Sequence, residues 1–228
     1  MHRKEKTVWA PNIPGWKNYA LEKEIRRGLK SNHILIRIES DRTCYIVGEQ
    51  WRGAAKGCSD AIFLAVGTGI GAGIIVDGRV IHGANDIAGA VGWMALQPPW
   101  QTKFKECGCF EYHASGTGIA RKVGRIAPEA FEAYENGNTV AKKVINEAVL
   151  FWGMAVANLV STFNPQKIIF GGGVFGPAGK LLPRIYTEAK KWAQPVSIRQ
   201  VKLIKSKLGG DAGLFGAARL ALNPNEFP

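Results

Sequence analysis

The sequence predicts a layered α/β fold. Short β-branched apolar runs alternate with longer stretches of helical periodicity from residue 33 onward, and glycine clusters stand directly after two of those runs. With 46% apolar and 21% charged residues over 228 positions, the chain can build a sizeable core and lies outside the composition range of disorder.

Residues 33–39 (HILIRIE) read as a strand. Ser40 and Asp41, both favoured helix N-caps, hand it over to a helix across 42–56. Residues 61–66 are a buried-type strand and 67–73 a glycine-rich loop. Residues 74–77 and 79–82 make a hairpin closed by Asp77-Gly78. A polar loop bearing Pro and Cys, 97–108, leads to a helix over 115–126, and a long helical pattern over 139–163 stops before Asn164-Pro165. Then come a buried strand at 167–170 running into Gly171-Gly172-Gly173, a helix over 178–192, a strand at 200–204 and an Ala-rich helix over 211–222. From residue 61 the order is βββ-α-β-α-β-α. With glycine turns after its strands, that order resembles one lobe of the actin-like, ribonuclease-H-like ATPases, a resemblance that implies two lobes clamping a nucleotide.

Thirty Lys and Arg against eighteen Asp and Glu give a net charge of +12. The positive residues are spread along the chain, with local excesses over 3–30 and 180–207. Neither is an uninterrupted basic block or carries a nucleic-acid-binding motif, which argues against nucleic acid as a partner. No stretch reads as a membrane span, and no apolar run of signal-peptide length follows the basic N-terminus, so the cytoplasm is the expected location. Four cysteines, at 44, 58, 107 and 109, do not suggest a disulfide framework.

The loop at 67–73 places Gly67, Thr68, Gly69 and Gly71 between two strands, where glycines turn the backbone tightly and aim N–H groups at an anion; a plain hairpin turn is the alternative. Gly171, Gly172 and Gly173 allow a flat or phosphorylated ligand to approach the backbone, or simply end a strand. Asp41 is either a proton acceptor projecting into a cleft or a helix cap. Glu111 either hydrogen-bonds hydroxyls or favours a helix start. Cys107, Cys109 and His113 are three zinc-ligand types, whereas a structural zinc site takes four.

Several strings in fixed order, Trp9-Ala-Pro-Asn-Ile-Pro-Gly-Trp16, Gly48-Glu49, Leu64-Ala-Val-Gly-Thr-Gly-Ile-Gly71, Ile75-Val-Asp-Gly78, Gly83-Ala-Asn85, Gly108-Cys-Phe-Glu111, Ala114-Ser-Gly-Thr117, Asn164-Pro165, Gly171-Gly-Gly173 and Gly210-Asp-Ala-Gly-Leu-Phe-Gly-Ala-Ala218, closely resemble those of the ROK family of sugar kinases and sugar-responsive repressors. The resemblance implies ATP-dependent phosphorylation of a hexose or N-acetylhexosamine. Asp41 would be the general base, Ser40, Asp41 and Glu111 the sugar contacts, Gly67, Thr68, Gly69 and Gly71 the phosphate turn, and Gly171–173 the adenosine side, with ATP and Mg2+ as cosubstrate and ion. It also implies residues 61–228 as a nearly complete C-terminal lobe. Residues 1–60 would be a remnant of the N-terminal lobe, and the final helix would pack back towards them.

The departures bear on activity. The family's Asn-Asp pair is Ser40-Asp41 here, and its Gly-Glu-x-Gly-His string is Gly89-Ala90-Val91-Gly92-Trp93, without the Glu and His that touch sugar. Its zinc cysteines fall on Thr102, Phe104 and Cys109, so the structural zinc is expected to be lost. The family's Asp-x-Gly-Gly-Thr string, which holds phosphates and magnesium, occurs nowhere in the sequence. The chain therefore reads as a truncated sugar kinase with little or no turnover on its own and an exposed sheet edge along 33–39. It would work as a homodimer or with a complementing first-lobe chain, and the alternative is a non-catalytic sugar- or nucleotide-binding subunit or one half of a split kinase. A repressor would need an N-terminal helix-turn-helix, for which residues 1–30 are poorly suited.

Overall fold

The computed structural model describes residues 7, 8, 10, 13–29 and 33–223. Trp9, Pro11 and Asn12 of the 9–16 string, and parts of the basic 3–30 segment, lie outside the described residues. Five strands, β1 (Ala61–Val66), β2 (Ile70–Val76), β3 (Arg79–Val80), β4 (Lys167–Gly171) and β5 (Lys202–Lys205), form one sheet in the order β3-β2-β1-β4-β5. The first three are an antiparallel meander, whereas β4 runs parallel to β1 and to β5. A parallel pair needs a long crossover. It is supplied by α3 (Cys109–Ala114), α4 (Gly116–Val123), α5 (Ala127–Glu135) and α6 (Thr139–Phe163), which precede β4.

Side-chain alternation divides the core into two layers. Ile62, Leu64 and Val66 of β1 and Ile168 and Phe170 of β4 pack with the apolar face of α6. Ala61, Phe63 and Ile169 point the other way, towards α2 (Asp41–Arg52) and α9 (Ala212–Leu222). In α6, Asn138 caps the first turn by accepting from Ala141 N at 2.9 Å, and Asn164 ends the helix in the left-handed region with Pro165 beyond. Contrary to the sequence reading, α6 is long and apolar enough to cross a membrane. Its apolarity is accounted for by burial, since it lies between the sheet and α7 (Leu182–Ala189).

On the opposite face α2 and α9 cross at backbone distance. A Cβ on Gly48 would lie 2.1 Å from the Ala212 carbonyl oxygen, and one on Gly216 would lie 1.8 Å from that of Cys44. Glu49, with no exposed surface, fastens the pair. Its carboxylate accepts from Ser206 Oγ and Ala54 N, both at 2.5 Å, and from Leu208 N at 3.0 Å. Burial also pushes the Cys44 thiol up to about 11, with the Glu39 and Asp41 charges acting in the same direction, so it stays a neutral packing group.

Several sequence expectations are corrected. Residues 33–39 are not a strand: a β-branched run pairs only if a neighbour offers a ladder, and here Glu39 ties the segment locally, accepting from Arg37 Nη2 at 3.1 Å and from Ser40 N at 3.0 Å. No sheet edge exists there. The glycine loop is shorter than 67–73, because β2 starts at Ile70 and takes in Gly71 and Gly73. The helix read over 42–56 begins at Asp41 and ends at Arg52, where Gly53 gives the space beside Glu49 that a Cβ would take. The helix over 115–126 is α4, stopped by left-handed Gly124. The one over 178–192 is a 3-10 turn followed by α7, which Pro183 starts. The strand placed at 200–204 is β5, two residues later at its start, and the helix at 211–222 begins at Ala212. The sequence reading missed α1 (Leu21–Leu29), α3, α5 and α8 (Ser197–Gln200), all short helices.

Candidate functional site

Because β1 and β4 are parallel and in register (Ala65 opposite Gly171), the chain leaves both strands side by side at one edge of the sheet, the position where layered α/β folds place ligands. Gly67 N donates to Gly69 O at 2.9 Å, closing the turn into β2, and Gly116 N, at the start of α4, donates to Gly67 O at 2.8 Å. Gly172 has φ +85°, and a Cβ there would lie 2.4 Å from the Val66 carbonyl oxygen, so only glycine permits this approach. Gly67 and Gly173 face open space, and Thr68 is exposed between the glycines. Gly67, Thr68, Gly69, Gly171, Gly172 and Gly173 are thus brought to one edge, beside the first turn of α4.

Gly71 and Gly73 serve packing. A Cβ on Gly73 would lie 2.0 Å from the Arg42 carbonyl oxygen, and one on Gly71 would lie 2.7 Å from Arg42 Cδ. These two glycines let the first turn of α2 rest on β2, which carries Asp41 to the same end of the sheet. Ser40 caps α2, its Oγ accepting from Arg42 N at 3.3 Å, so the serine that replaces the family's asparagine is used as a cap. Asp41 is exposed; its Oδ1 accepts from Arg42 N at 2.8 Å and its Oδ2 from the Tyr45 hydroxyl at 3.3 Å. Burial, then the Asp41 charge and hydrogen bond, raise the Tyr45 phenol above its ordinary value, so it remains a donor. Tyr45 was not singled out from the sequence, although its four-residue spacing from Asp41 on a helix was a usable signal.

Glu111, in the first turn of α3, reaches under the glycine turn, and its Oε2 accepts from Ile70 N at 2.6 Å. A Cβ on Gly69 or Gly92 would lie within 3 Å of that oxygen. Burial raises the Glu111 carboxyl above its ordinary value, and the Ile70 hydrogen bond opposes this. The folded chain therefore holds this proton more tightly than the unfolded chain. Stability should fall as pH rises from 4.5 through the raised value, where only the unfolded state has already lost the proton. Unfolding midpoints compared from about pH 4 to about pH 7 will show wild type losing stability relative to Glu111→Gln; a relative gain contradicts the assignment.

The residues at the family's zinc positions do not form a ligand set. Trp93 is 57% exposed, whereas Phe104 is buried against Tyr112 and His113 with ring centroids 5.5 Å from each. Nor do Cys107, Cys109 and His113 come together as ligands: among the described residues no group of three or more His, Cys, Asp or Glu can hold a metal ion. His113 is stacked on Phe151 at 4.2 Å, with Nδ1 2.7 Å from Glu147 Oε1, and Lys122 Nζ lies 3.0 Å from Glu147 Oε2. Burial, then the Lys122 charge, push the imidazole below its ordinary value. Aromatic packing and a half-buried ion pair hold this region.

The strand order, the glycine turns and the helices on both faces define a lobe of the actin-like ATPase fold. The chain belongs to the ROK family, whose pattern matches residues 1–223. A glucokinase of Halalkalibacterium halodurans is 30% identical over 92% of this chain and 69% of its own length. An N-acetyl-D-glucosamine kinase of Pectobacterium carotovorum is 25% identical over 96% of this chain and 76% of its own. The crystal structure of a ROK family glucokinase from Streptomyces griseus in complex with glucose and AMPPNP superposes with a TM-score of 0.81 at 26% identity, covering 96% of this chain and 78% of that one.

Proposed function

We propose that this chain is a ROK-type sugar-kinase unit that takes ATP and a hexose or N-acetylhexosamine at the glycine-turn edge of its sheet. The observation that carries the reading is the convergence there of both glycine turns, the Asp41 end of α2 and Glu111. The turns at Gly67–Gly69 and Gly171–Gly173 receive the nucleotide, and Glu111 accepts from a sugar hydroxyl. Asp41, held by Arg42 N and the Tyr45 hydroxyl, takes the proton from the attacking hydroxyl. Magnesium would arrive on the nucleotide's phosphates, as is usual for this ion in phosphoryl-transfer sites. The Ala90 and Trp93 replacements remove positioning groups, so turnover should lie orders of magnitude below that of a kinase that keeps the Glu and His at these places.

The test is ADP release from Mg-ATP with a panel of hexoses and N-acetylhexosamines, run beside thermal-shift binding of sugar and of AMPPNP. Both ligands should stabilise the chain. Asp41→Asn should leave AMPPNP binding intact and reduce sugar-dependent ADP release about 10²-fold or more. A folded chain that binds neither ligand refutes the reading. A second reading, a binding subunit or half of a split kinase completed by another chain or a second copy, is favoured by one observation. Residues 33–39 lie outside the sheet, with Ile34 and Leu35 48% and 76% exposed. Mass measurement in solution, alone and after co-expression with a ROK first lobe, separates the two readings.

A further inference from the structure

At the opposite end of the sheet, where β1, β4 and β5 begin, there is a cavity of about 580 Å3, inside the ~300–1,000 Å3 range of small-molecule sites. Strands rise ~3.3 Å per residue, which places it roughly 20 Å from the Gly67 turn, with no residue in common. Lys56, Lys167 and Lys202 line it against a single carboxylate, Asp60. Lys167 is committed, its Nζ donating to Ala54 O at 2.8 Å. The ammonium groups of Lys56 and Lys202 have no hydrogen-bond or ion-pair partner among the described residues.

The polar groups between them are already ordered. Gln166 Oε1 accepts from Ser59 N at 3.0 Å and from Asp60 N at 3.2 Å, which turns its amide NH2 outward as a donor. Asp60 accepts from Ser59 Oγ at 2.5 Å and from Asp77 N at 3.0 Å, and these two hydrogen bonds hold its carboxyl below the ordinary value. An ionised carboxylate with spare lone pairs repels a bare polyanion and accepts from hydroxyls. Two unpartnered cations beside one fixed amide and one acceptor suit a ligand that has both a phosphate and hydroxyl groups.

We propose that this cavity is a second binding site for a small phosphorylated polyol of the sugar-phosphate class, with the phosphate on Lys56 and Lys202 and the hydroxyls on Asp60, Gln166 and Gln200. The site stands apart from the kinase reading. If both hold, the product class of one end of the sheet is the ligand class of the other.

Calorimetric titration of the full chain with glucose 6-phosphate, glucose and inorganic phosphate tests it. An Asp41→Asn, Glu111→Gln variant carried through the same titrations removes the sugar contacts at the other end. Glucose 6-phosphate should bind the full chain and this variant alike, more tightly than inorganic phosphate, with glucose too weak to detect in the variant. Lys56→Gln combined with Lys202→Gln, its fold checked by circular dichroism, should weaken glucose 6-phosphate about tenfold or more. Absence of binding, or binding indifferent to the lysine pair, overturns the site. Inorganic phosphate bound as tightly as glucose 6-phosphate overturns the sugar-phosphate class. Failure of the kinase reading shows separately, as loss of AMPPNP and glucose binding by the chain with its cleft unaltered.

Discussion

Glu49→Ala will destabilise the chain by about 4 kcal/mol, measured as a shift in the denaturant midpoint at unchanged slope. The carboxylate is fully buried, and its truncation leaves the Ser206 hydroxyl and the amides of Ala54 and Leu208 without their acceptor. Each unsatisfied buried donor costs about 1–3 kcal/mol, reduced where water can enter the space. Glu49→Gln keeps the shape and one oxygen and will lose roughly half as much. Because Glu49 ties α2 to the loop between β5 and α9, the damage will extend to Asp41. AMPPNP and sugar stabilisation should weaken in Glu49→Ala even below its lowered midpoint. A midpoint within about 0.5 kcal/mol of wild type contradicts the latch.

The second large effect is expected at the helix crossing. Gly216→Ala will cost about 3 kcal/mol, because its Cβ would sit 1.8 Å from the Cys44 carbonyl oxygen and backbone cannot rotate away as a side chain can. The helices would have to separate, exposing Val47, Ala212 and Leu220 of the outer layer. Gly210→Ala, a few residues earlier in a turn with open space around it, is the control and should stay within about 0.5 kcal/mol of wild type. Equal losses at both positions would contradict the close crossing as the source of the cost, since Ala at a compatible, open position gains stability through the unfolded chain.

The same residues show what was legible beforehand. Runs such as residues 61–66 and 167–170 are buried on both faces and bounded by glycine, so their strand character is local and readable, as is the long helix that ends at Asn164-Pro165. Glu111 and the two glycine turns were singled out on residue type, and the structure brings them to one edge. Glu49 was noticed only as part of a string. A buried carboxylate cannot be told from a surface one when two of its three donors, Ser206 and Leu208, lie more than 150 residues away.

By itself, the sequence determined the strand and helix alternation, the glycine turns, the family and its altered site strings, since each depends on residue types close together in the chain. The tertiary structure alone decided three things. Residues 33–39 stay out of the sheet, because strand formation needs a hydrogen-bonded neighbour that local propensity cannot supply. Gly71 and Gly73 form the seat of α2, because only the docked helix shows what a Cβ would strike. His113 goes to Phe151, Glu147 and Lys122 and not to the cysteines, because a side chain's partner is set by which helix packs beside it.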